Sequence, residues 1–98
     1  MKKLELNKND FQRQFEALVD NELITIEFSE QERKTFLTKM LISEHLVDAG
    51  YQEQMIQLVL DFLREHNTKV VPTCKEVKSF MRKHRAKYKD MLPVGIAL

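Results

Sequence analysis

The stretch LITIEFSEQE, residues 23–32, decides how the chain divides into secondary-structure elements. Residues 23–28 alternate in apolar character, and their β-branched content favours an extended conformation over helix. Ser29 followed by Glu32 matches a capping box, in which a hydroxyl and a carboxylate satisfy the free amide donors at a helix start. The stretch therefore predicts a short strand or buried connector, followed by a helix from about Glu30.

Outward from this stretch, apolar residues recur at helical spacing, which predicts four helices. Their expected bounds are about 10–22, 30–50, 52–66 and 74–92. Gly50 and Pro93 supply stop signals, and the second and third helices carry apolar faces broad enough to be largely buried. The expected fold is all-α: a small irregular four-helix bundle forming a single helical domain over residues 1–98. Segments 23–28 and 94–98 would add at most a minor two-stranded or extended element.

The size and composition of the chain limit its class. Ninety-eight residues with 43% hydrophobic and 32% charged side chains suit one globular core, and two Gly with two Pro are too few for a disordered segment. A single cysteine cannot form an internal disulfide, and no apolar run reaches the roughly 18 residues of a membrane span. These features predict a cytoplasmic protein of bacterial or phage style with no membrane contact.

Positive charge is concentrated near the C-terminus. Residues 73–90 hold seven basic and two acidic side chains, whereas residues 1–72 hold nine basic and thirteen acidic ones. On the predicted fourth helix, such side chains can follow a phosphate backbone and bind it through counterion release. The predicted nucleic-acid-binding residues are Lys75, Lys78, Arg82, Lys83, Arg85, Lys87 and Lys89. The alternatives are a solvated helix face, with cations placed near the helix C-terminus, and a surface for an acidic protein.

A helix-turn-helix across residues 42–59 is disfavoured, because its second helix has no Lys or Arg and its apolar residues are typical of a core. The run GYQEQMIQLVLDF, residues 50–62, followed by KEVKSFMRKHR, residues 75–85, resembles the C-terminal domain of DnaD/DnaB-type primosomal replication proteins. The resemblance covers residues 40–88. It implies a helix after a glycine turn, paired with a short helix that contributes to DNA binding.

Residues for catalysis or metal binding show no recognisable motif. His45, His66, His84 and Cys74 lack the local spacing of zinc ligands, and neither a glycine-rich phosphate loop nor a nucleophile elbow is present. Cys74 in a first helical turn beside Lys75 would have a lowered thiol pKa, although a small residue at a helix start is the simpler interpretation. The sequence therefore predicts no enzyme, no metal, no cofactor and no small-molecule substrate.

The predicted function is that of a small non-enzymatic accessory or regulatory factor in replication or transcription. It would bind nucleic acid, DNA rather than RNA, through the basic C-terminal helix. The alternative is a protein-interaction module, such as an adaptor or a phage-type inhibitor. That module would act through the acidic N-terminal half or the apolar tail at residues 94–98. A homodimer is compatible with both, because the second and third helices carry much apolar surface.

Overall fold

The computed structural model describes residues 2–98 and contains both strands and helices. The strands are β1 (Asn7–Asn9), β2 (Gln14–Val19), β3 (Glu22–Gln31), β4 (Lys34–Leu41) and β5 (Lys69–Pro72). The helices are α1 (Glu44–Asp48), α2 (Tyr51–Glu65), α3 (Lys75–Lys83) and α4 (Arg85–Tyr88), followed by a 3₁₀ turn at Lys89–Met91.

These strands form one sheet in the order β1-β2-β3-β4-β5. The first four are an antiparallel meander, and β5 pairs parallel to β4 after the chain has crossed over through α1 and α2. Tight turns join β2 to β3 and β3 to β4. Their central residues, Asp20 and Asn21 in one and Glu32 and Arg33 in the other, have positive φ. Two successive positive φ values are typical of the type I′ turn, whose twist matches that of the flanking strands.

One face of the sheet packs against the helices and forms the core. Every second residue of β2 and β3 points to that face, and Phe15, Ile24 and Ile26 on it are fully buried. The ring of Phe15 lies 5.0 Å from that of Phe28 on β3 and 5.6 Å from that of Phe62 on α2. These contacts tie the centre of the sheet to the crossover helix.

The opposite face of the sheet carries no helix, and we call it the open face. It presents the other alternating residues, defined here as Asn7, Asn9, Gln14, Glu16, Leu18, Leu23, Thr25, Glu27, Lys39 and Leu41. Leu18 is 64% exposed, and Leu23 and Leu41 are each 50% exposed. The molecule is thus a two-layer α/β structure. One face of the sheet, which carries both polar and apolar side chains, is left uncovered.

The all-α prediction is wrong, because the segments expected to form the first two helices build the sheet. Residues 10–22 contain a loop and β2, in which burial alternates residue by residue. Residues 30–50 contain the end of β3, the turn, β4 and α1. The apolar arc expected on a helix at 36–42 is two sides of one strand: Leu37 and Met40 are buried, whereas Leu41 is exposed.

The other predicted elements have mixed outcomes. The helix expected at 52–66 is confirmed as α2. The helix expected at 74–92 is interrupted at His84, whose φ of −118° and ψ of 39° are not helical, so that α3 and α4 are separate. Segment 23–28 lies inside β3, and segment 94–98 forms no strand, so the minor two-stranded element proposed between them does not exist. In residues 2–98, no helix has the length and apolar character required to cross a bilayer.

Asp90 connects the C-terminal segment to α2, and we predict that this connection depends on pH. Arg64 Nη1 donates to Asp90 Oδ2 at 2.9 Å. Hydrogen bonding by Arg64 lowers the pKa of the Asp90 carboxyl below its ordinary value of 3.8. A lowered carboxyl pKa stabilises the fold above pH 3.8, and that contribution is lost as the pH falls through the folded-state pKa. Urea titrations should show that Asp90→Asn unfolds earlier than wild type at neutral pH, with the two curves converging in acid. Asp48→Asn, on exposed α1, is the control; a difference that stays constant with pH would contradict the prediction.

Candidate functional site

The pairing of strands β4 and β5 ends halfway along β4. Their paired residues run from Lys34 opposite Lys69 to Leu37 opposite Pro72. After this point β4 continues to Leu41, while the other chain segment turns away at Thr73 into α3. We call the resulting space, between residues 38–41 and the start of α3, the β4–β5 gap.

Hydrogen bonds to a single carbonyl close the β4–β5 gap at the end where β4 and β5 are still paired. The N–H groups of Thr73 and Cys74 donate to the Leu37 oxygen at 3.1 and 2.9 Å, and the Thr73 hydroxyl donates to the same oxygen at 3.0 Å. Thr38, the next residue of β4, is a bulge: Leu37 and Lys39 pair with adjacent residues of β3 and leave Thr38 without a partner there. Bulges are frequent beside active sites, because they redirect the strand and end its pairing.

The start of α2 lies at the same end of the sheet as the β4–β5 gap. In a β-α-β unit, ligands bind outside the carboxyl ends of the parallel strands, where the helix N-terminus supplies free N–H groups. Gly50 precedes α2 with a φ of 91°, a left-handed conformation that glycine adopts without strain. The N–H groups of residues 51–53 lie before the first intrahelical bond of α2, in which Gln54 donates to Gly50. They are donors available to an anion.

Cys74 lies at the other side of the gap, at the N-cap of α3. Its side chain is buried, and Sγ donates to Glu76 Oε1 at 3.1 Å. Burial raises the pKa of the Cys74 thiol, and the hydrogen bond to Glu76 raises it further. The lowered thiol pKa expected from the sequence is therefore wrong: the local helix and Lys75 do not overcome desolvation, and the thiol stays protonated at neutral pH.

His45 and Glu22 form a pair at the carboxyl end of β4. His45 lies on α1, four residues after the end of β4, and its Nε2 is 2.5 Å from Glu22 Oε2 at the start of β3. In the neutral ring, this contact places the proton on Nε2 and leaves Nδ1 as an acceptor. The sequence suggested only a zinc-ligand role for His45. The pair was missed because its members are brought together by the sheet and lie far apart in any local pattern.

The seven predicted nucleic-acid-binding residues are all exposed. Lys75, Lys78, Arg82 and Lys83 lie on α3, Arg85 and Lys87 on α4, and Lys89 in the 3₁₀ turn. The break at His84 divides them, so they do not form the single continuous stripe expected of one helix. Of the seven, Lys75 is the first residue of α3, whose start borders the β4–β5 gap. Nucleic-acid binding through these side chains stays a prediction, as does the protein-interaction alternative.

Metal ligation has no support in the part of the chain that the structure describes. Residues 2–98 contain no group of three or more His, Cys, Asp or Glu side chains placed to hold an ion. Ser43, the N-cap of α1 beside the end of β4, has a buried hydroxyl oxygen with no hydrogen-bond partner among these residues. The site thus contains helix N–H donors, a histidine with an oriented ring, a protonated thiol and an unsatisfied hydroxyl.

Comparison with known proteins identifies one family. The model of the GCN5-related N-acetyl-transferase family matches residues 14–91, a segment that runs from the first residue of β2 to the 3₁₀ turn. No curated protein matches the chain. The resemblance to DnaD/DnaB-type primosomal domains is therefore wrong, as are the non-enzyme prediction and its association with DNA replication. The basic flanks and the glycine before a helix, on which that resemblance was based, are local features of the sequence.

Proposed function

The chain belongs to the GCN5-related N-acetyl-transferase family, and we propose that it transfers an acetyl group from a thioester carrier to an amine at the β4–β5 gap. The observation that carries this proposal is the gap itself. The matched segment contains both of its strands, the crossover helix and the start of α3. A parallel strand pair that opens at its carboxyl end beside a helix N-terminus is suited to an extended, phosphate-bearing ligand.

Coenzyme A is the general carrier of activated acyl groups, and the residues present fit it. Its phosphates would be held by the N–H groups at the start of α2, where Gly50 contributes no side chain. Its amide-containing arm would lie along residues 38–41 of β4, and the buried Ser43 hydroxyl is a further hydrogen-bonding group there. When bound, the carrier supplies the acetyl group as a thioester. The Glu53 carboxylate in the first turn of α2 would repel the phosphates, so binding of the phosphates would depend on the backbone N–H donors.

His45 is the residue that we assign to proton transfer. An amine must lose its proton to become a nucleophile, and a histidine oriented by a carboxylate is suited to accept it. Glu22 holds the ring through Nε2, which leaves Nδ1 free to take the proton that the amine nitrogen loses. With the carrier bound, the C–S bond would break as the new C–N bond forms, and the carrier would leave as a thiolate that takes up a proton from solvent. Proton transfer at Nδ1 is the step that this chain's own side chain performs.

Transfer is direct, without an acyl-enzyme on cysteine. The chain has a single cysteine, and the raised pKa of its thiol keeps Cys74 in the protonated, weakly nucleophilic form. The amine therefore attacks the thioester itself. This proposal departs from the sequence-based prediction of no small-molecule substrate, which no observation tests.

We expect the purified protein to convert amines to N-acetyl amines when acetyl-coenzyme A is added. Mass spectrometry of the product detects the acetyl group without interference from the Cys74 thiol. Calorimetry with coenzyme A measures carrier binding separately. Heat-denatured protein is the control for uncatalysed acetylation, and acetyl phosphate, which lacks the carrier, should not serve as donor. The proposed function would be refuted if the protein binds no coenzyme A and yields no N-acetyl product with a broad panel of amines.

A further inference from the structure

Both acids within α3, α4 and the 3₁₀ turn are engaged by other groups, which leaves the basic side chains of these elements unpaired. Glu76 Oε1 accepts a hydrogen bond from Cys74 Sγ at 3.1 Å, and Asp90 Oδ2 accepts one from Arg64 at 2.9 Å. The seven exposed cations of residues 75–89 take part in none of the ion pairs formed within residues 2–98. These elements therefore present a positive charge that the described part of the chain does not neutralise.

A closed turn at residues 93–96 follows these basic elements and carries exposed aliphatic side chains. The Ile96 N–H donates to the Pro93 oxygen at 3.2 Å, and Gly95 has a φ of 90°. This combination is typical of a type II turn, whose second central residue has positive φ. Val94, the first central residue, is 105% exposed, and Ile96 is 40% exposed. The turn is therefore an ordered element that holds aliphatic side chains in solvent.

A surface recess connects this turn to two of the basic side chains. Its volume is about 350 Å³, and its lining consists of Arg85, Lys89, Leu92, Ala97 and Leu98. Arg85 and Lys89 are four residues apart, which places them on the same side of a helical segment. Leu92 and Leu98 also pack against the core, so the chain is anchored on both sides of the turn. Two cations and several aliphatic side chains thus form one continuous surface.

This combination of cations and exposed aliphatic side chains fits the surface of an anionic bilayer. The negative potential of such a surface attracts Lys and Arg, and each of them near the surface strengthens binding about fivefold. Aliphatic side chains at the same surface enter the boundary between headgroups and acyl chains, where they leave water. Single exposed apolar residues are ordinary in proteins, but Val94 and Ile96 share one ordered turn beside unpaired cations. Charge and apolar character are therefore both complementary to the bilayer.

A nucleic acid would match only the charge of this surface. Its phosphates could bind the cations, but a single strand gains further affinity by stacking its bases on aromatic rings. The aromatic residues of segment 73–98 are Phe80 and Tyr88, and both are buried. Val94 and Ile96 would remain in water beside a polynucleotide. The exposed turn therefore favours a lipid surface over the nucleic acid predicted from the sequence.

We propose that this surface docks on an anionic lipid bilayer. Arg85 and Lys89 contact the phosphates of the headgroups, and Val94 and Ile96 insert between the headgroups. The other five cations add attraction over about 8–10 Å, the distance beyond which salt at physiological strength screens charges. The proposal departs from the sequence-based prediction of no membrane contact, which no observation tests. It does not rest on acetyl transfer, because docking needs neither an acyl donor nor an amine.

Co-sedimentation with lipid vesicles tests the proposal. Wild type should bind vesicles made of equal parts of phosphatidylglycerol and phosphatidylcholine, should not bind phosphatidylcholine alone, and should lose affinity as salt is added. Arg85→Gln/Lys89→Gln should weaken binding about 25-fold, since each cation contributes about fivefold. Val94→Ser, which keeps the charge, should weaken it by at least about fourfold, the contribution of one buried methylene group. Circular dichroism of each variant separates lost binding from lost folding.

Lys3→Gln/Arg13→Gln is the matched control, because it removes the same charge from exposed side chains elsewhere. Lys3 precedes β1 and Arg13 precedes β2, whereas β5, which leads into the basic elements, is at the opposite edge of the sheet from β1. The control should bind vesicles like wild type.

Four outcomes would overturn the inference. The first three are no binding of folded wild type to the anionic vesicles, an equal loss in the control variant, and unchanged binding by Val94→Ser. The fourth is tighter binding to a labelled DNA oligonucleotide or to a polyglutamate peptide than to the vesicles, which would assign the surface to a nucleic acid or an acidic protein instead.

Discussion

Phe15→Ala should destabilise the protein by about 3–5 kcal/mol, the usual cost of removing a large aromatic side chain from a packed core. Phe15 is fully buried at the centre of β2, and its ring contacts those of Phe28 and Phe62. The substitution removes packing from β2, β3 and α2 at once. The free energy of unfolding from urea titration, followed by circular dichroism, measures the effect.

Phe11→Ala is the matched control, since Phe11 is 95% exposed in the loop before β2. It removes the same side chain but little packing, so the change in unfolding free energy should stay within about 0.5 kcal/mol. On the helical interpretation of residues 10–22, both phenylalanines would lie on one apolar face and both substitutions would be costly. Similar losses for the two variants would therefore contradict the sheet.

His45→Gln should reduce kcat of acetyl transfer by a factor of about 10² to 10⁴, the usual contribution of a positioned general base. Glutamine can still hydrogen-bond to Glu22 but cannot accept a proton, so the geometry is largely retained while the chemistry is lost. KM for the carrier should change little, because the carrier is assigned to the N–H groups at the start of α2 and to β4, whereas His45 lies on α1. Steady-state kinetics across pH measures both parameters.

A matched control makes this result specific. His66→Gln replaces an exposed histidine at the end of α2, whose Nδ1 lies 2.8 Å from the Phe62 carbonyl oxygen. It should keep wild-type kcat. An unchanged kcat in His45→Gln, or an equal loss in His66→Gln, would remove His45 from the mechanism.

Sequence reasoning predicted α2 well because its signals are local. Its apolar residues recur at helical spacing over the whole element, and their burial against the sheet follows that spacing. The signal at residues 70–72 is equally local, since Pro72 biases its predecessor away from helix and these residues lie in β5. In both places the local preference and the tertiary environment agree.

The segment 29–41 shows why the rest could not be predicted. Ser29 and Glu32 match a capping box, yet Ser29 lies inside β3 and Glu32 is in the turn to β4 with a φ of 48°. Neither central residue of that turn is glycine, so the hairpin has no strong sequence signal. The bulge at Thr38 shifts the alternation of buried residues along β4, which makes a strand resemble a broad helical face.

The candidate site depends even more on the tertiary structure. Glu22 and His45 are adjacent only because β3 pairs with β4. The sequence by itself determined the composition of one small core, the crossover helix and the charge of the C-terminal elements. Tertiary structure alone decided the sheet, the β4–β5 gap and the open face. Strand pairing is non-local, so its energy comes from partners that no local pattern identifies.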